Sequence, residues 1–249
     1  MPKTIFMEAR WDGEINLRDD VFEEISKRNA KKIALFASVQ FLDLDNVIES
    51  LKNKNLEVLT TKAKRTNAEI QVLGCDAYHD SFNKDIISEC DVILYIGDGL
   101  FHPKAVLLSQ RGKKEKKDII VWDPVGQQTV ILKFDDVRKQ VLKTKANLKR
   151  FMASENAGIL ITIKPGQQYL DEAEKLKKHL ESQGKKAYIF IDNTIQMSQF
   201  ENYNFIDVWI NTGCPRIGLD DHMHCQKPLI NSREAYDPIR ALELLQDEN

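Results

Sequence analysis

Short apolar runs alternate with longer amphipathic segments along the chain, and no other feature of the sequence constrains its fold as strongly. Ten runs have the length and apolar character of strands: residues 4–9, 32–38, 57–61, 91–98, 118–124, 129–134, 157–164, 186–192, 207–213 and 228–234. Most of them show no alternation of apolar and polar residues, as expected for strands of a parallel sheet covered on both faces. The repetition of strand, helix and strand therefore predicts an α/β fold with parallel sheets and flanking helices.

The segments between the strand candidates have the spacing of helices. Residues 42–55 and 167–186 place apolar side chains at helical intervals, and the second segment ends near Gly184, as helices often do. The long charged segment 135–157 carries four apolar residues roughly on one face: Val137, Val141, Leu148 and Met152. This pattern predicts a connecting helix rather than a flexible linker.

Two similar domains are expected, residues 1–145 and residues 146–249. A chain of 249 residues suits one large or two small domains. Each half contains a strand that ends in a glycine-containing loop, "YIGDGLFHP" at 95–103 and "INTGCPRIG" at 210–218. Loops at the carboxyl ends of parallel strands are where open α/β sheets bind ligands, so both loops are candidate site elements.

Bulk composition excludes several classes of protein. The net charge is −2 and 30% of the residues are charged, which indicates neither a polyanion-binding surface nor a disordered acidic tail. No apolar stretch approaches the ~20 residues that cross a bilayer, and the start of the chain turns acidic too early for a signal peptide. We therefore expect a soluble, cytoplasmic protein.

The four cysteines fit reduced thiols or metal ligands better than a disulfide framework in such a compartment. None belongs to a C-x-x-C pair, so any cluster must be assembled from distant parts of the fold. Cys90 directly precedes a strand and is expected to be a core thiol. Cys75 lies in a glycine-containing turn, near His79, and by itself would more often be a small buried side chain than a ligand.

The stretch "NTGCPRIGLDDHMHCQKP", residues 211–228, allows more than one interpretation. A local tetrahedral metal site would use four of its residues: Cys214, His222, His224 and Cys225. The spacing C-x7-H-x-H-C matches no zinc finger or ribbon, and the neighbouring Asp220 and Asp221 favour a solvated loop for the two histidines. Cys214 differs, because it follows a strand end and has Arg216 beside it as a possible carboxylate clamp.

Two further loops have ligand-binding character. In "GDGLFHP", Gly97 and Gly99 would let backbone amides approach an anionic or polar ligand. The loop is not a dinucleotide fingerprint, since His102 stands where the third glycine would be, and a plain turn is the alternative. In "IKPGQQYL", Gln167 and Gln168 precede a helix, where their amides could hold a carboxylate or an amine; solvated surface glutamines are the alternative.

Several of these motifs together resemble one family, the diphthamide synthesis radical enzymes, which are the 2-(3-amino-3-carboxypropyl)histidine synthases of archaea and eukaryotes. "NTGCPRIGLDD" resembles the cysteine-bearing strand-end motif of that family, and "QVLGCD" at 71–76 resembles its middle cysteine motif. "YIGDGLFHP" is similar to its glycine-rich "GGGxFHP" loop. "KIALFASVQF" and "IKPGQQ" also have counterparts there, so the resemblance runs in order along nearly the whole chain.

The resemblance implies a transferase built from three similar α/β domains, each supplying one cysteine to a shared [4Fe-4S] cluster. One iron is left open for the methionine part of S-adenosylmethionine, which is cleaved to a 3-amino-3-carboxypropyl radical. The radical adds to a histidine of translation elongation factor 2, the first step of diphthamide formation. By motif, Cys75 and Cys214 would be cluster ligands. The residues implied at the cosubstrate are Gln167 and Arg216 for its amino acid end, and Gly97, Gly99 and His102 for the loop lining its site.

One departure from the family is large. The chain opens on "PKTIFMEARWDG", which resembles the start of the family's middle domain, so the first domain and its cysteine have no counterpart. The leading hypothesis is an enzyme subunit whose third ligand comes from a separate polypeptide or a second copy, which also implies an oligomer. A noncatalytic auxiliary or electron-relay subunit is one alternative. A cluster-free α/β protein that binds a small polar ligand is the other.

Overall fold

The computed structural model describes residues 10–164 and 167–245, so the strand candidate at 4–9 lies outside the described residues. The chain divides into two compact units, Met1–Val137 and Arg138–Asn249. This division falls eight residues before the domain boundary expected from the sequence, after residue 145, and it lies in the first turn of the long helix Asp135–Ala153.

The described residues of the first unit form a five-stranded sheet with strand order β2-β1-β3-β4-β5. Its strands are β1 Lys32–Ala37, β2 Glu57–Leu59, β3 Val92–Ile96, β4 Ile119–Asp123 and β5 Gln128–Leu132. Its helices are α1 Asp19–Lys27, α2 Asp45–Asn53, α3 Ile86–Glu89 and α4 Phe101–Ser109. Strands β1 to β4 are parallel, whereas β5 is antiparallel to β4. The expectation of an all-parallel sheet is therefore wrong for β5, because the connection after β4 is a tight turn and a parallel crossover needs a much longer one.

The second unit is a four-stranded parallel sheet with strand order β7-β6-β8-β9. Its strands are β6 Asn156–Thr162, β7 Lys186–Asp192, β8 Val208–Asn211 and β9 Leu229–Asn231. The remaining helices are α5 Asp135–Ala153, α6 Leu170–Ser182, α7 Pro215–Leu219, α8 Ser232–Tyr236 and α9 Pro238–Glu243. The predicted fold class, an α/β protein with two mainly parallel sheets and flanking helices, is confirmed.

Burial follows the apolar runs. All five residues of β3 are buried, and so are five of the six residues of β1, which agrees with strands covered on both faces. In α5, Val137, Val141 and Leu148 are buried as predicted, but Met152 is 44% exposed and Phe151 is buried instead. Both lie within helical reach of Leu148, at i+3 and i+4, and the apolar face follows the i+3 position. Within the described residues, every helix is too short or too polar to traverse a bilayer.

Candidate functional site

Cys75 lies just past the carboxyl edge of the first sheet. Residues 70–72 run beside the end of β1: the Ala37 N–H donates to the Ile70 carbonyl at 2.8 Å, and the Val72 N–H donates to the Ala37 carbonyl at 3.0 Å. The chain leaves the sheet after Val72 at the edge where parallel strands end. The partly exposed Cys75 follows three residues later, at the position where this type of sheet binds ligands.

A buried carboxylate holds the turn that carries Cys75. Oδ2 of Asp76 accepts the Leu73 N–H at 2.7 Å, and the Asp76 N–H donates to the Leu73 carbonyl at 3.0 Å. The Asp76 side chain is 1% exposed. Burial raises the pKa of this carboxyl, while the Leu73 N–H and the charge of Arg65 oppose the rise. The turn is therefore closed by contacts on both sides of Cys75.

The glycine loop between β3 and α4 lies against this turn. The ring of Phe101 covers Gly74, because a Cβ on Gly74 would lie only 2.0 Å from the ring. The His102 ring stands edge-to-face with that of Phe101, with 5.6 Å between centroids. The fold thus brings the glycine loop and the turn of Cys75 together within the first unit, and Gly74 is the residue that permits their approach.

Two buried hydroxyl groups lie beneath Gly97 in the same loop. A Cβ on Gly97 would lie 2.6 Å from Oη of Tyr95 and 2.8 Å from Oγ of Ser38. Burial raises the pKa of Tyr95, an effect that Ser38 opposes and Asp98 reinforces. Gly99 adopts φ +66°, the left-handed region that glycine favours, and a Cβ there would meet open space. The two glycines therefore serve different needs, close approach at Gly97 and backbone conformation at Gly99.

In the second unit, Cys214 also lies at the carboxyl edge of the sheet, just after β8. The N–H and Oγ1 of Thr212 both donate to the Leu160 carbonyl of β6, at 3.2 and 2.8 Å, which extends the sheet contact past the end of the strand. Cys214 is partly exposed and immediately precedes α7, whose first residue is Pro215. Proline suits this position because its missing N–H would have no helical acceptor there.

Arg216 and Gln167, the two residues predicted to bind the amino acid end of the cosubstrate, both lie near Cys214 but differ in their present contacts. Arg216 is 4% exposed, and its Nε and Nη2 both contact Oδ2 of Asp220, the former at 2.7 Å. The expected carboxylate clamp is thus engaged with a carboxylate of its own helix end. Gln167 lies beside the loop, since its Oε1 is 3.9 Å from where a Cβ on Gly213 would stand. Residues 165 and 166 of the "IKPGQQ" motif lie outside the described residues.

The other two cysteines are buried thiols. Cys90 is 1% exposed, and burial raises its pKa to about 11, which confirms the prediction of a core thiol. Cys225 is 6% exposed and belongs to the apolar cluster around Trp209, and burial raises its pKa as well.

The histidines of the 211–228 stretch do not behave alike. His224 is exposed, but His222 is fully buried, so the expectation of a solvated loop is wrong for His222. The reason is the helical conformation of 215–224, which directs His222 inward. In the described parts of the chain, no three His, Cys, Asp or Glu side chains are grouped as a metal site would need.

The sequence interpretation missed a pair of buried asparagines beside Cys214. Asn211 ends β8 and Asn231 ends β9, and the two residues are register partners. A signal was present, since both strands end in the dipeptide Ile-Asn, followed by a small polar residue. Only the pairing of β8 with β9 shows that the two amides meet.

Comparison with known proteins places the chain in a family. The family model for diphthamide synthesis proteins matches residues 2–240. The chain belongs to this family. It is 27% identical over 213 residues to the 2-(3-amino-3-carboxypropyl)histidine synthase of Pyrococcus horikoshii, with 85% of this chain and 58% of that protein covered. To the enzyme of the same name from Methanocaldococcus jannaschii it is 25% identical over 243 residues, covering 93% and 61% respectively.

Solved structures of Dph2 from Pyrococcus horikoshii share the fold of this diphthamide synthesis family member. One is superimposed with a TM-score of 0.69 at 24% identity, covering 91% of this chain and 61% of that one. A second, solved with a 4Fe-4S cluster, gives a TM-score of 0.68 at 25% identity, covering 93% and 62%. The chain therefore spans about three-fifths of the length of these relatives. The resemblance inferred from the motifs is confirmed, whereas the roles of individual site residues stay predictions.

Proposed function

We propose that this chain is a subunit of a [4Fe-4S] radical enzyme of diphthamide synthesis. That enzyme would transfer a 3-amino-3-carboxypropyl group from S-adenosylmethionine to a histidine of translation elongation factor 2. The observation that carries the proposal is the placement of Cys75 and Cys214. Each is partly exposed, stands in a family cysteine motif and lies just past the carboxyl ends of parallel strands. The names of the relatives and the 4Fe-4S cluster of the Dph2 structure support the same chemistry.

The donor chemistry of the chain fits part of such a cluster. Iron–sulfur clusters are held by cysteine thiolates, so a ligand must be accessible and able to lose its proton. Cys75 and Cys214 are accessible, whereas burial keeps Cys90 protonated and raises the pKa of Cys225. Two ligands from one chain leave a third to be supplied. We propose that a separate polypeptide or a second copy of this chain provides it.

Each motif then has a task. The cluster, when bound, would supply the electron that breaks the bond between sulfur and the aminocarboxypropyl carbon. Gly97, Gly99 and His102 would line the cosubstrate site, and the open space beside Gly99 leaves room for a ligand against the backbone. Gln167 would bind the amino acid end through its side-chain amide. Arg216 would bind the carboxylate through its guanidinium, whose Nε and Nη2 now contact Oδ2 of Asp220.

A noncatalytic role in the same complex is the second candidate function. The observation that favours it is the contact of Arg216 with Asp220, which engages the side chain predicted to bind the carboxylate of the cosubstrate. Such an auxiliary or electron-relay subunit would keep the fold and a cluster without cleaving S-adenosylmethionine.

Anaerobic reconstitution with iron and sulfide tests the proposal. We expect Cys75→Ala and Cys214→Ala each to lose most of the bound iron and the electron paramagnetic resonance signal of the wild type. Cys90→Ala and Cys225→Ala are the matched controls and should keep both, because these buried thiols hold no iron. If all four variants bind iron like the wild type, the shared cluster is wrong and a cluster-free ligand-binding protein becomes the better account.

Turnover separates the enzyme from the auxiliary subunit. The reconstituted chain, treated with dithionite, is assayed for release of the aminocarboxypropyl group from S-adenosylmethionine, alone and with a co-purifying chain that carries a third cysteine. Turnover that depends on Cys75 and Cys214 supports the enzyme. Bound iron without turnover, both for the chain alone and for the chain with its co-purifying partner, supports the auxiliary subunit.

A further inference from the structure

Two buried asparagines lie side by side under the loop that carries Cys214. Asn211 and Asn231 are the last residues of the adjacent strands β8 and β9 and face each other in register. They are 1% and 4% exposed. A buried amide is costly unless its polar atoms are paired, so the partners of these two side chains need to be identified.

Asn211 contacts the loop on both sides of its bend. Its Oδ1 accepts the Gly213 N–H at 3.0 Å, and its Nδ2 donates to the Cys214 carbonyl at 2.9 Å. The same Nδ2 also donates to Oδ1 of Asn231 at 2.7 Å. One side chain therefore fixes the peptide groups on either side of the Gly213–Cys214 step.

Asn231 holds the next peptide along. Its Nδ2 donates to the Pro215 carbonyl at 2.9 Å. Helix α7 packs directly on this amide, because a Cβ on Gly218 would lie 2.3 Å from Oδ1 of Asn231. The backbone is thus held at Gly213, Cys214 and Pro215, three consecutive residues with Cys214 at the centre.

The network permits a single arrangement of donors and acceptors. The Gly213 N–H can only donate, so Oδ1 of Asn211 must face it, and Nδ2 is left for the Cys214 carbonyl. The Pro215 carbonyl can only accept, so Nδ2 of Asn231 must face it and its Oδ1 turns to Asn211. An aspartate has the same shape but lacks the donors that these acceptors need.

We propose that Asn211 and Asn231 are positioning residues for the sulfur of Cys214. This inference rests on the proposed function, in which Cys214 binds a [4Fe-4S] cluster. A ligand sulfur must be held within a small distance of its metal, and backbone contacts around it supply that restraint. The asparagine pair provides these contacts from two strands without adding charge beside the cluster.

The test compares Asn211→Asp with Asn147→Ala in the reconstituted full chain. Asn147 is a matched control: it is 3% exposed, lies in the same unit, and donates through Nδ2 to the Leu229 carbonyl of β9 at 3.0 Å. We expect Asn211→Asp to lose iron to a chelator at least about tenfold faster than wild type and to change the electron paramagnetic resonance spectrum. Asn147→Ala should lower the melting temperature while leaving both properties unchanged.

A measurement without iron keeps the inference separable from the proposed function. In the apo protein, the rate of alkylation of Cys214 is followed by mass spectrometry, with Cys75 in the other unit as the internal reference. We expect both Asn211→Asp and Asn231→Asp to change the Cys214 rate severalfold relative to Cys75, and Asn147→Ala to leave it unchanged. Asn231→Asp loses only the bond from Nδ2 to the Pro215 carbonyl and keeps the other three hydrogen bonds described above. If Asn211→Asp does not fold, Asn231→Asp therefore provides the test.

The outcomes divide clearly. If both aspartate variants match Asn147→Ala in chelation rate, spectrum and alkylation, the asparagines are structural only and the inference is overturned while the cluster stands. If the wild type and Cys214→Ala bind iron equally, the proposed function fails at Cys214. The alkylation rates then show by themselves whether the asparagine pair positions the thiol.

Discussion

The turn of Cys75 and the loop of Cys214 each lie at the carboxyl edge of a sheet but are held by different means. A local contact closes the Cys75 turn, since Asp76 bonds to Leu73 within the same four residues. The Cys214 loop is held by amides that come from two adjacent strands. The group that holds the Cys75 turn is an ionisable carboxyl, whereas the groups that hold the Cys214 loop are two neutral amides. The comparison indicates that the Cys214 loop depends on strand register and the Cys75 turn on the hydrogen bond of one local side chain.

The largest expected effect comes from a substitution that disrupts the packing of α7 on the asparagine pair and so perturbs the Cys214 loop. We expect Gly218→Ala to lower the free energy of unfolding by about 2 kcal/mol, because the new methyl group would collide with the buried amide of Asn231. Urea unfolding measures this change. Gly213→Ala is the control. Its new Cβ would lie 3.2 Å from its nearest neighbour, Cγ2 of Thr162, so the loss of unfolding free energy should be smaller. Equal losses in the two variants would contradict the role of the amide contact.

In the glycine loop beside Cys75, substitution of Gly99 should reduce stability through backbone strain rather than through crowding. Gly99 has φ +66° and no atom within 4 Å of a Cβ position, so Gly99→Ala should cost about 1 kcal/mol through conformation alone. Gly99→Asn should recover part of this loss in urea unfolding, because asparagine tolerates the left-handed region better than alanine. A larger loss for asparagine than for alanine would indicate crowding and contradict the prediction.

The smallest expected effect is the pH dependence of stability that comes from Asp76, the ionisable group in the Cys75 turn. Burial raises the pKa of Asp76 above its ordinary value of 3.8, so the folded chain holds this proton more tightly than the unfolded chain does. The free energy of unfolding should therefore fall as the pH rises from 3.8 through the raised pKa, and then level off. Asp76→Asn should remove this contribution because an amide does not titrate, and its oxygen can still accept the Leu73 N–H that closes the turn.

Unfolding measured across this pH range checks the prediction, with the exposed Asp43→Asn as the charge-matched control. The wild type and Asp43→Asn should share the slope, and Asp76→Asn should be flatter. Parallel curves for all three proteins would show that the burial of Asp76 does not affect stability.

Local patterns in the sequence accounted for much of the fold. The apolar runs predicted nine strands that the structure contains, from β1 to β9, and the helical spacing at 135–157 predicted α5. The failures have two causes. The burial of His222 and the exposure of Met152 depend on neighbours in space, which a pattern along the chain does not specify. The antiparallel direction of β5 follows from the short connection after β4, which the strand pattern alone did not take into account.

At the candidate site, too, some features could be predicted from consecutive residues and others depend on contacts between distant parts of the chain. The sequence by itself determined that Cys214 stands after a strand end and that Cys75 lies in a glycine-containing turn, because apolar strands and glycine-rich turns are formed by consecutive residues. Only the tertiary structure decided that Phe101 covers Gly74, that Arg216 contacts Asp220, and that Asn211 meets Asn231. These contacts arise from strand register and from the packing of helices on sheet edges. Register is set by the whole sheet, so the partners of a buried amide or a guanidinium are fixed only when the sheet has formed.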